Sequence, residues 1–342
     1  RGGSMALTFA LIQSAAWAPA NVTDHGRSLT DNSRALLQHE FQRTGSFCLG
    51  GHLAPLTFLL GCQRCGTNSL YEDIIGSVSG ARPGHSLRGE PAVYSREQHF
   101  FATDTWSQGA THYLNHFPDC PGHSAGFQFT LDATPAYLRK PIVADRMLEL
   151  MPSAAVPKLK FVVILRDPAM RLYAYWDQYV LKGAGVNDFE KWLDITLKSV
   201  RECQRKHGDQ LWPPPDTNAC DEDTIEGVAA GLYAHQLTYW LRKFDPKQFL
   251  LTSTTAYTEE TQLVVKAISS FLTGSGTLDS AARHPDNIDS INVESRMSKV
   301  ARTELGRFYR SHNAELLHLL NNQGKVTYTP SLKQLGIQQW IS

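Results

Sequence analysis

Three short apolar runs, at 56–60, 160–165 and 248–252, carry almost no polar alternation, which is the pattern of strands covered on both faces. Between and after them the period changes. Phe189, Trp192, Leu193, Ile195, Leu197 and Val200 recur at helical spacing and predict a helix over Asp188 to His207. The same reading predicts helices over Ser33 to Gln42, Thr224 to Lys243, Glu259 to Leu272 and Ser298 to Asn321. Residues 81–96, rich in Gly, Pro and Arg, read as a loop, as do the Pro-rich stretch 208–227 and the Gly-, Ser- and Asp-rich stretch 273–297. Strand-like runs alternating with helices predict an α/β fold with a central parallel sheet flanked by helices. One domain over 51–330 is expected, with an N-terminal extension at 1–50 and a tail at 331–342.

The 342 residues are 42% hydrophobic, enough to bury a substantial core. Lys plus Arg and Asp plus Glu are equal at 33 each, so the basic excess of a nucleic-acid binder is missing. Equal charge also argues against a broad basic face for a long polyanion and leaves room only for a local cleft. No apolar run reaches about 18 residues, so no membrane span is expected. Ala6 to Ala20 is moderately apolar and ends in small residues, as a signal peptide or trimmed anchor does. It has no basic segment of its own, however, and Arg1-Gly2-Gly3-Ser4 reads as a cloning remnant.

The chemistry concentrates at two strand ends. The first run leads into Gly61-Cys62-Gln63-Arg64-Cys65-Gly66-Thr67-Asn68-Ser69, a short turn that opens a helix. Such a turn aims unpaired backbone N–H groups at one point, with the helix dipole behind them, and so makes an anion site. It lacks the Gly-Lys-Ser/Thr ending of a nucleotide-binding P-loop, which disfavours a P-loop kinase. The second run ends in Arg166-Asp167-Pro168, an Arg at the position where doubly wound sheets bind ligands. Cys62 and Cys65 have C-x-x-C spacing, but with no second pair and no nearby His they read as loop filling rather than zinc or redox chemistry.

Together these elements resemble the signatures of sulfotransferases that use 3′-phosphoadenosine 5′-phosphosulfate (PAPS), about a hundred residues apart and in the family's order. Arg96-Glu97-Gln98-His99-Phe100-Phe101 and Leu131-Asp132-Ala133-Thr134-Pro135-Ala136-Tyr137 look like further elements of the Golgi carbohydrate branch. Within it the chain looks most like enzymes that 6-O-sulfate N-acetylgalactosamine 4-sulfate in chondroitin. The resemblance implies that PAPS is the donor, adenosine 3′,5′-bisphosphate the product and no metal a participant. It implies a donor site of Arg64, Cys65, Gly66, Thr67, Asn68, Ser69, Arg166, Ala174, Tyr233 and Arg283. It also implies a bridge between Cys203 and Cys220, and with it an oxidising compartment, the Golgi lumen or secretory pathway, with the cytoplasm as the alternative left open.

Glu97 is the expected general base, since a hydroxyl nucleophile needs its proton removed; His99 is the reserve base and Arg64 the charge that stabilises the leaving phosphate. Asp132 and Trp176 are expected near the acceptor, with Trp106 and Trp212 as further stacking candidates. The chain departs from the family twice: Arg64 stands where Lys is usual, and Ala174 where a Ser is usual. Three readings stay open. The acceptor is a chondroitin-like carbohydrate, or it is a small-molecule metabolite sulfated at oxygen or nitrogen, or the chain is a weakened nucleotide-binding protein. A monomer and a homodimer fit equally.

Overall fold

The computed structural model describes residues 46–122, 126–181, 187–207, 222–282 and 296–341. Two short strands, β1 (Cys48–Leu49) and β2 (His52–Leu53), pair antiparallel as a small hairpin. A disulfide from Cys48 to Cys120 ties that hairpin to the chain 72 residues on. The main sheet comprises β3 (Thr57–Gly61), β4 (Leu131–Asp132), β5 (Lys160–Leu165), β6 (Phe249–Ser253) and β7 (Thr327–Tyr328). Its order is β4-β3-β5-β6-β7 and every pairing is parallel. The three predicted strands are therefore the three central ones, and their unbroken apolar character follows from burial on both faces.

The helices in chain order are α1 (Thr67–Ser77), α2 (Gly109–Leu114), α3 (Pro141–Leu150), α4 (Pro168–Tyr175), α5 (Phe189–His207), α6 (Glu222–Ala229), α7 (Tyr233–Lys243), α8 (Thr254–Glu259), α9 (Thr261–Thr273) and α10 (Lys299–Asn321). Local chemistry sets several starts. Asp167 caps α4 by accepting from the Ala169 N–H at 2.8 Å, with Pro168 in the first turn, where its missing N–H costs nothing. Ser298 caps α10 in the same way, accepting from the Ala301 N–H at 3.2 Å.

The sequence reading needs amending at several elements, among them α2, α3, β4 and β7, which it did not predict. The helix expected over Thr224 to Lys243 is broken into α6 and α7. Gly231 lies in the break, and a Cβ there would sit 2.9 Å from the Tyr309 ring and 3.0 Å from Pro168 Cβ, so α10 approaches too closely for a side chain. α6 also begins at Glu222, inside the stretch read as loop. α8 is an extra helix, started by Ser253 at the end of β6, whose hydroxyl accepts from the Ala256 N–H at 3.1 Å. The expected Ser33 to Gln42 helix and the apolar stretch Ala6 to Ala20 lie outside the described residues. Among the described residues, no helix is long and apolar enough to cross a membrane.

Two apolar clusters carry the packing. The larger surrounds the sheet, with Phe161 of β5 against Phe244 at 4.7 Å, Phe249 at 4.9 Å and Trp240 at 5.4 Å between ring centres. The smaller gathers α4, α5, α6 and the start of α10. Phe161 is fully buried at the centre of the larger one. Phe161→Ala should lower unfolding free energy by about 3–5 kcal/mol in urea titration, and a loss under about 1 kcal/mol would mean that the aromatic cluster collapses to fill the gap.

Candidate active site

The carboxyl ends of β4, β3 and β5 are neighbours in the sheet, and they carry the segments of Asp132, Arg64 and Arg166. β3 runs into the turn of Cys62 to Gly66. Gly66 has φ 94°, in the left-handed region that Gly adopts freely, and it starts α1. The Leu70 N–H donates to the Gly66 carbonyl at 3.1 Å, the first rung of the helical ladder. The amides of Thr67, Asn68 and Ser69 precede that rung, and no side chain caps them. They form the anion-binding end of a helix whose first turn holds no acidic residue.

Arg64 occupies the turn at φ 68°. Among the described residues only Arg64 and His99 are non-glycine residues at positive φ, a strained conformation that tends to mark functional positions. The Arg64 Nε is buried and has no hydrogen-bond partner among the described residues. Its carbonyl accepts from Arg166 Nη1 at 3.2 Å, so the two expected donor-binding arginines are linked directly. Arg166, at the end of β5, is only 6% exposed. Burial lowers its pKa to about 10; the positive charges of Arg64 and Arg171 add to that effect, and Tyr233 and Asp167 oppose it. The guanidinium stays charged at neutral pH in surroundings that favour an incoming anion.

Arg171, which the sequence reading assigned no role, is fully buried on α4. It donates to the Gly227 carbonyl, while its Nε and Nη1 have no partner among the described residues. Its signal in sequence was faint: one cation on an otherwise apolar helical face.

Supporting contacts hold this cluster. The Tyr233 hydroxyl donates to the Arg166 carbonyl at 2.9 Å and lies 3.3 Å from Cys62 Sγ. The Thr254 hydroxyl, at the end of β6, donates to the Cys65 carbonyl at 2.8 Å. Cys62 and Cys65 are joined by a disulfide, which corrects the reading of them as loop filling. A pair three residues apart at the mouth of an anion turn gave no sequence signal distinguishing a bridge from two packed thiols.

The wall opposite comes from residues 95–99, a segment secured at several points. The Ser95 carbonyl accepts from the Tyr71 hydroxyl of α1 at 3.3 Å, and the Arg96 carbonyl from the Ala133 N–H at 2.8 Å. The His99 N–H donates to the Thr134 hydroxyl oxygen at 3.0 Å. Glu97 is held between two cationic or potentially cationic groups, with Oε1 3.8 Å from Arg96 Nε and Oε2 3.5 Å from His99 Nε2. Its side chain is 13% exposed, sheltered but open at one edge.

Several expected contacts are not where the sequence placed them. Asp132 is fully buried and accepts hydrogen bonds from Tyr137 at 2.7 Å, Tyr113 at 3.1 Å and Thr134, whose hydroxyl approaches to 2.6 Å and N–H to 3.1 Å. Burial raises its pKa, with these bonds opposing the shift. Its carboxylate is spent on the end of β4 and, through Thr134, on the His99 backbone, so it positions the wall and presents nothing to an acceptor.

Trp176 is 4% exposed, packed against Tyr173 and Phe189, each at 5.3 Å, so neither ring face is open to a sugar. Ala174 is 1% exposed in the smaller core cluster and offers no surface to a phosphate. Tyr233 is 1% exposed and acts from beneath the loop. The Cys65 N–H donates to the Cys62 carbonyl at 3.1 Å and is thereby used within the turn. Trp106 packs against Phe100 and beneath Arg146. Cys203 is disulfide-bonded; Cys220, Trp212 and Arg283 lie outside the described residues.

A donor carrying phosphate at both ends fits what is present. The uncapped helix start and the Arg64 Nε, without a partner among the described residues, have the chemistry to take one anion. Arg166, buried near two other cations, has the chemistry to take a second.

Comparison with known proteins agrees with this geometry. The family model for the sulfotransferase domain matches residues 55–292. The chain is 24% identical over 220 residues to bifunctional heparan sulfate N-deacetylase/N-sulfotransferase 1 of Caenorhabditis elegans, covering 64% of this chain and 22% of that protein. It is 26% identical over 206 residues to human heparan sulfate glucosamine 3-O-sulfotransferase 3B1, covering 60% of this chain and 42% of that protein. It thus spans less than half the length of these curated relatives. Among solved structures, a sulfotransferase from Alicyclobacillus acidocaldarius shares the fold, with a TM-score of 0.56 at 20% identity, over 78% of this chain and 96% of that one. On the domain match, which covers both strand-end motifs and the wall between them, the chain belongs to the sulfotransferase domain family.

Proposed function

We propose that this protein transfers the sulfuryl group of PAPS to a carbohydrate hydroxyl, leaving adenosine 3′,5′-bisphosphate. The observation that carries the reading is the convergence of Arg64, the open amides of α1 and the buried Arg166 at adjacent strand ends, with the segment of Glu97 bonded just beyond the next strand end, that of β4. The donor supplies an activated sulfuryl group on an anionic leaving phosphate.

Every other task falls to the chain. The amides of Thr67, Asn68 and Ser69 together with Arg64 hold the 5′ end and stabilise charge that grows on the leaving oxygen. Arg keeps a fixed charge with a forked geometry, so its substitution for the family's usual Lys preserves the electrostatic part of the role. Arg166 holds the 3′-phosphate. Glu97 takes the acceptor proton, and His99 at 3.5 Å fixes the orientation of the carboxylate. In this reading Asp132 and Thr134 keep Glu97 and His99 in place from behind.

The acceptor class rests on the relatives, whose names specify heparan sulfate, and on the motif likeness to chondroitin enzymes. Chondroitin and heparan chains, desulfated and partly sulfated, are therefore the acceptors to test first with labelled PAPS. Transfer to small alcohols or amines, with none to either polysaccharide, would replace the acceptor and keep the chemistry. The disulfides at Cys48–Cys120 and Cys62–Cys65 support a secretory-pathway location, where such bonds persist.

Glu97→Gln keeps the shape of the side chain but cannot take a proton. Turnover should fall by roughly 10²–10⁴, while binding of adenosine 3′,5′-bisphosphate stays near the wild-type value. Activity close to wild type would move the base to His99.

The bridge in the anion turn has its own test. The Cys62→Ser/Cys65→Ser variant loses a short closed loop, with about 2 kcal/mol of stability expected to go with it, and should bind adenosine 3′,5′-bisphosphate more weakly by calorimetry. Unchanged affinity would show that the bridge stabilises the fold without shaping the site.

A further inference from the structure

A second constellation lies behind the wall that carries Glu97. His116 is 2% exposed, and its Nδ1 faces only carbonyl oxygens, those of His112 at 3.1 Å and Tyr113 at 3.3 Å. A carbonyl cannot donate, so the ring proton sits on Nδ1. Nε2, facing Glu90 Oε2 from 2.8 Å, holds either a second ring proton that it donates to the carboxylate or, with that proton gone, a lone pair. Two lone-pair atoms that close require a cation between or beside them. His112, four residues earlier on α2, places its Nε2 3.8 Å from the other Glu90 oxygen. One ligand atom from each of the three residues lies within 4.8 Å of the others. Two imidazoles four residues apart, one on α2 and one in the turn that follows it, plus a carboxylate form a borderline-soft donor set suited to Zn²⁺. The carbonyl-bound Nδ1 of His116 is the kind of outer contact that fixes the tautomer of a metal-ligating His.

The geometry points to a zinc site formed by Glu90, His112 and His116, with a fourth position left for water. Its place in the fold gives it a structural effect. Glu90 belongs to the 81–96 loop, and its carboxylate also accepts the Leu87 N–H at 2.9 Å. The His116 carbonyl accepts the His85 N–H at 2.8 Å, and the Tyr94 ring packs between His116 and His99. A metal here fastens the loop leading to Glu97 onto α2. It adds no step to sulfuryl transfer, and it is independent of the proposed donor chemistry.

The test is zinc binding by the purified chain at pH 7.5, measured by equilibrium dialysis and elemental analysis, with Co²⁺ absorption as a second readout. His112 is half-buried, so His112→Ala is a mild substitution, and Glu90→Gln provides an independent second variant. His235, His312 and the exposed Glu315 form another converging trio, for which His312→Gln is the control. Wild type and His312→Gln should each hold one equivalent more zinc than His112→Ala and Glu90→Gln, whose affinity falls at least about tenfold. Zinc should raise the melting temperature of wild type and leave that of His112→Ala unmoved. Equal zinc in wild type and both loop-site variants would overturn the assignment, leaving a proton as the cation between His116 and Glu90.

Discussion

Arg166 Nη1 donates to the Arg64 carbonyl, so a backbone oxygen links two residues of like charge. Burial and the nearby Arg64 and Arg171 all disfavour the charge on Arg166. Such an arrangement gains when a polyanion arrives, because phosphate oxygens add negative charge and hydrogen-bond acceptors beside the arginines. The surrounding structure sustains this unfavourable state. Tyr233 and Thr254 fasten the two strand ends from below, the Cys62–Cys65 bridge closes the turn, and the positive φ of Arg64 aims its side chain.

Support on the acceptor side runs through a different chain of contacts. Asp132 is buried where its charge would be unfavourable, and Tyr113, Tyr137 and Thr134 offset that with hydrogen bonds. Thr134 passes the constraint to His99, whose ring lies beside Glu97. The residue pairs that do chemistry in the proposed reaction are thus each set by a partner on a neighbouring strand end. Because those strands are parallel and adjacent, both halves of the site open on the same edge of the sheet.

Much of this was legible in the chain. β3, β5 and β6 are continuous apolar runs because both faces are covered, and the helices α5 and α10 repeat at their expected spacing. Arg64 and Arg166 could be selected because each follows such a run directly. What escaped depended on distance in space. Two-residue strands such as β4 and β7 have no periodicity to detect. Asp132 sits in a motif that looks catalytic, yet its role is decided by Tyr113, which approaches from α2. Trp176 and Ala174 face the small cluster because α5 and α6 pack over them, which helical spacing alone cannot orient. The break at Gly231 is imposed by Tyr309 from a helix far along the chain.

The central claim is that Arg166 recognises a 3′-phosphate while the turn at Arg64 recognises the 5′ end. Calorimetry with two ligands and two proteins tests it directly: adenosine 3′,5′-bisphosphate and adenosine 5′-monophosphate, each against wild type and Arg166→Ala. Wild type should prefer the bisphosphate by about tenfold or more, the value of a charged hydrogen-bonded pair, and Arg166→Ala should bind both ligands alike. A preference that survives in Arg166→Ala, or a wild type that binds neither ligand, would contradict the account.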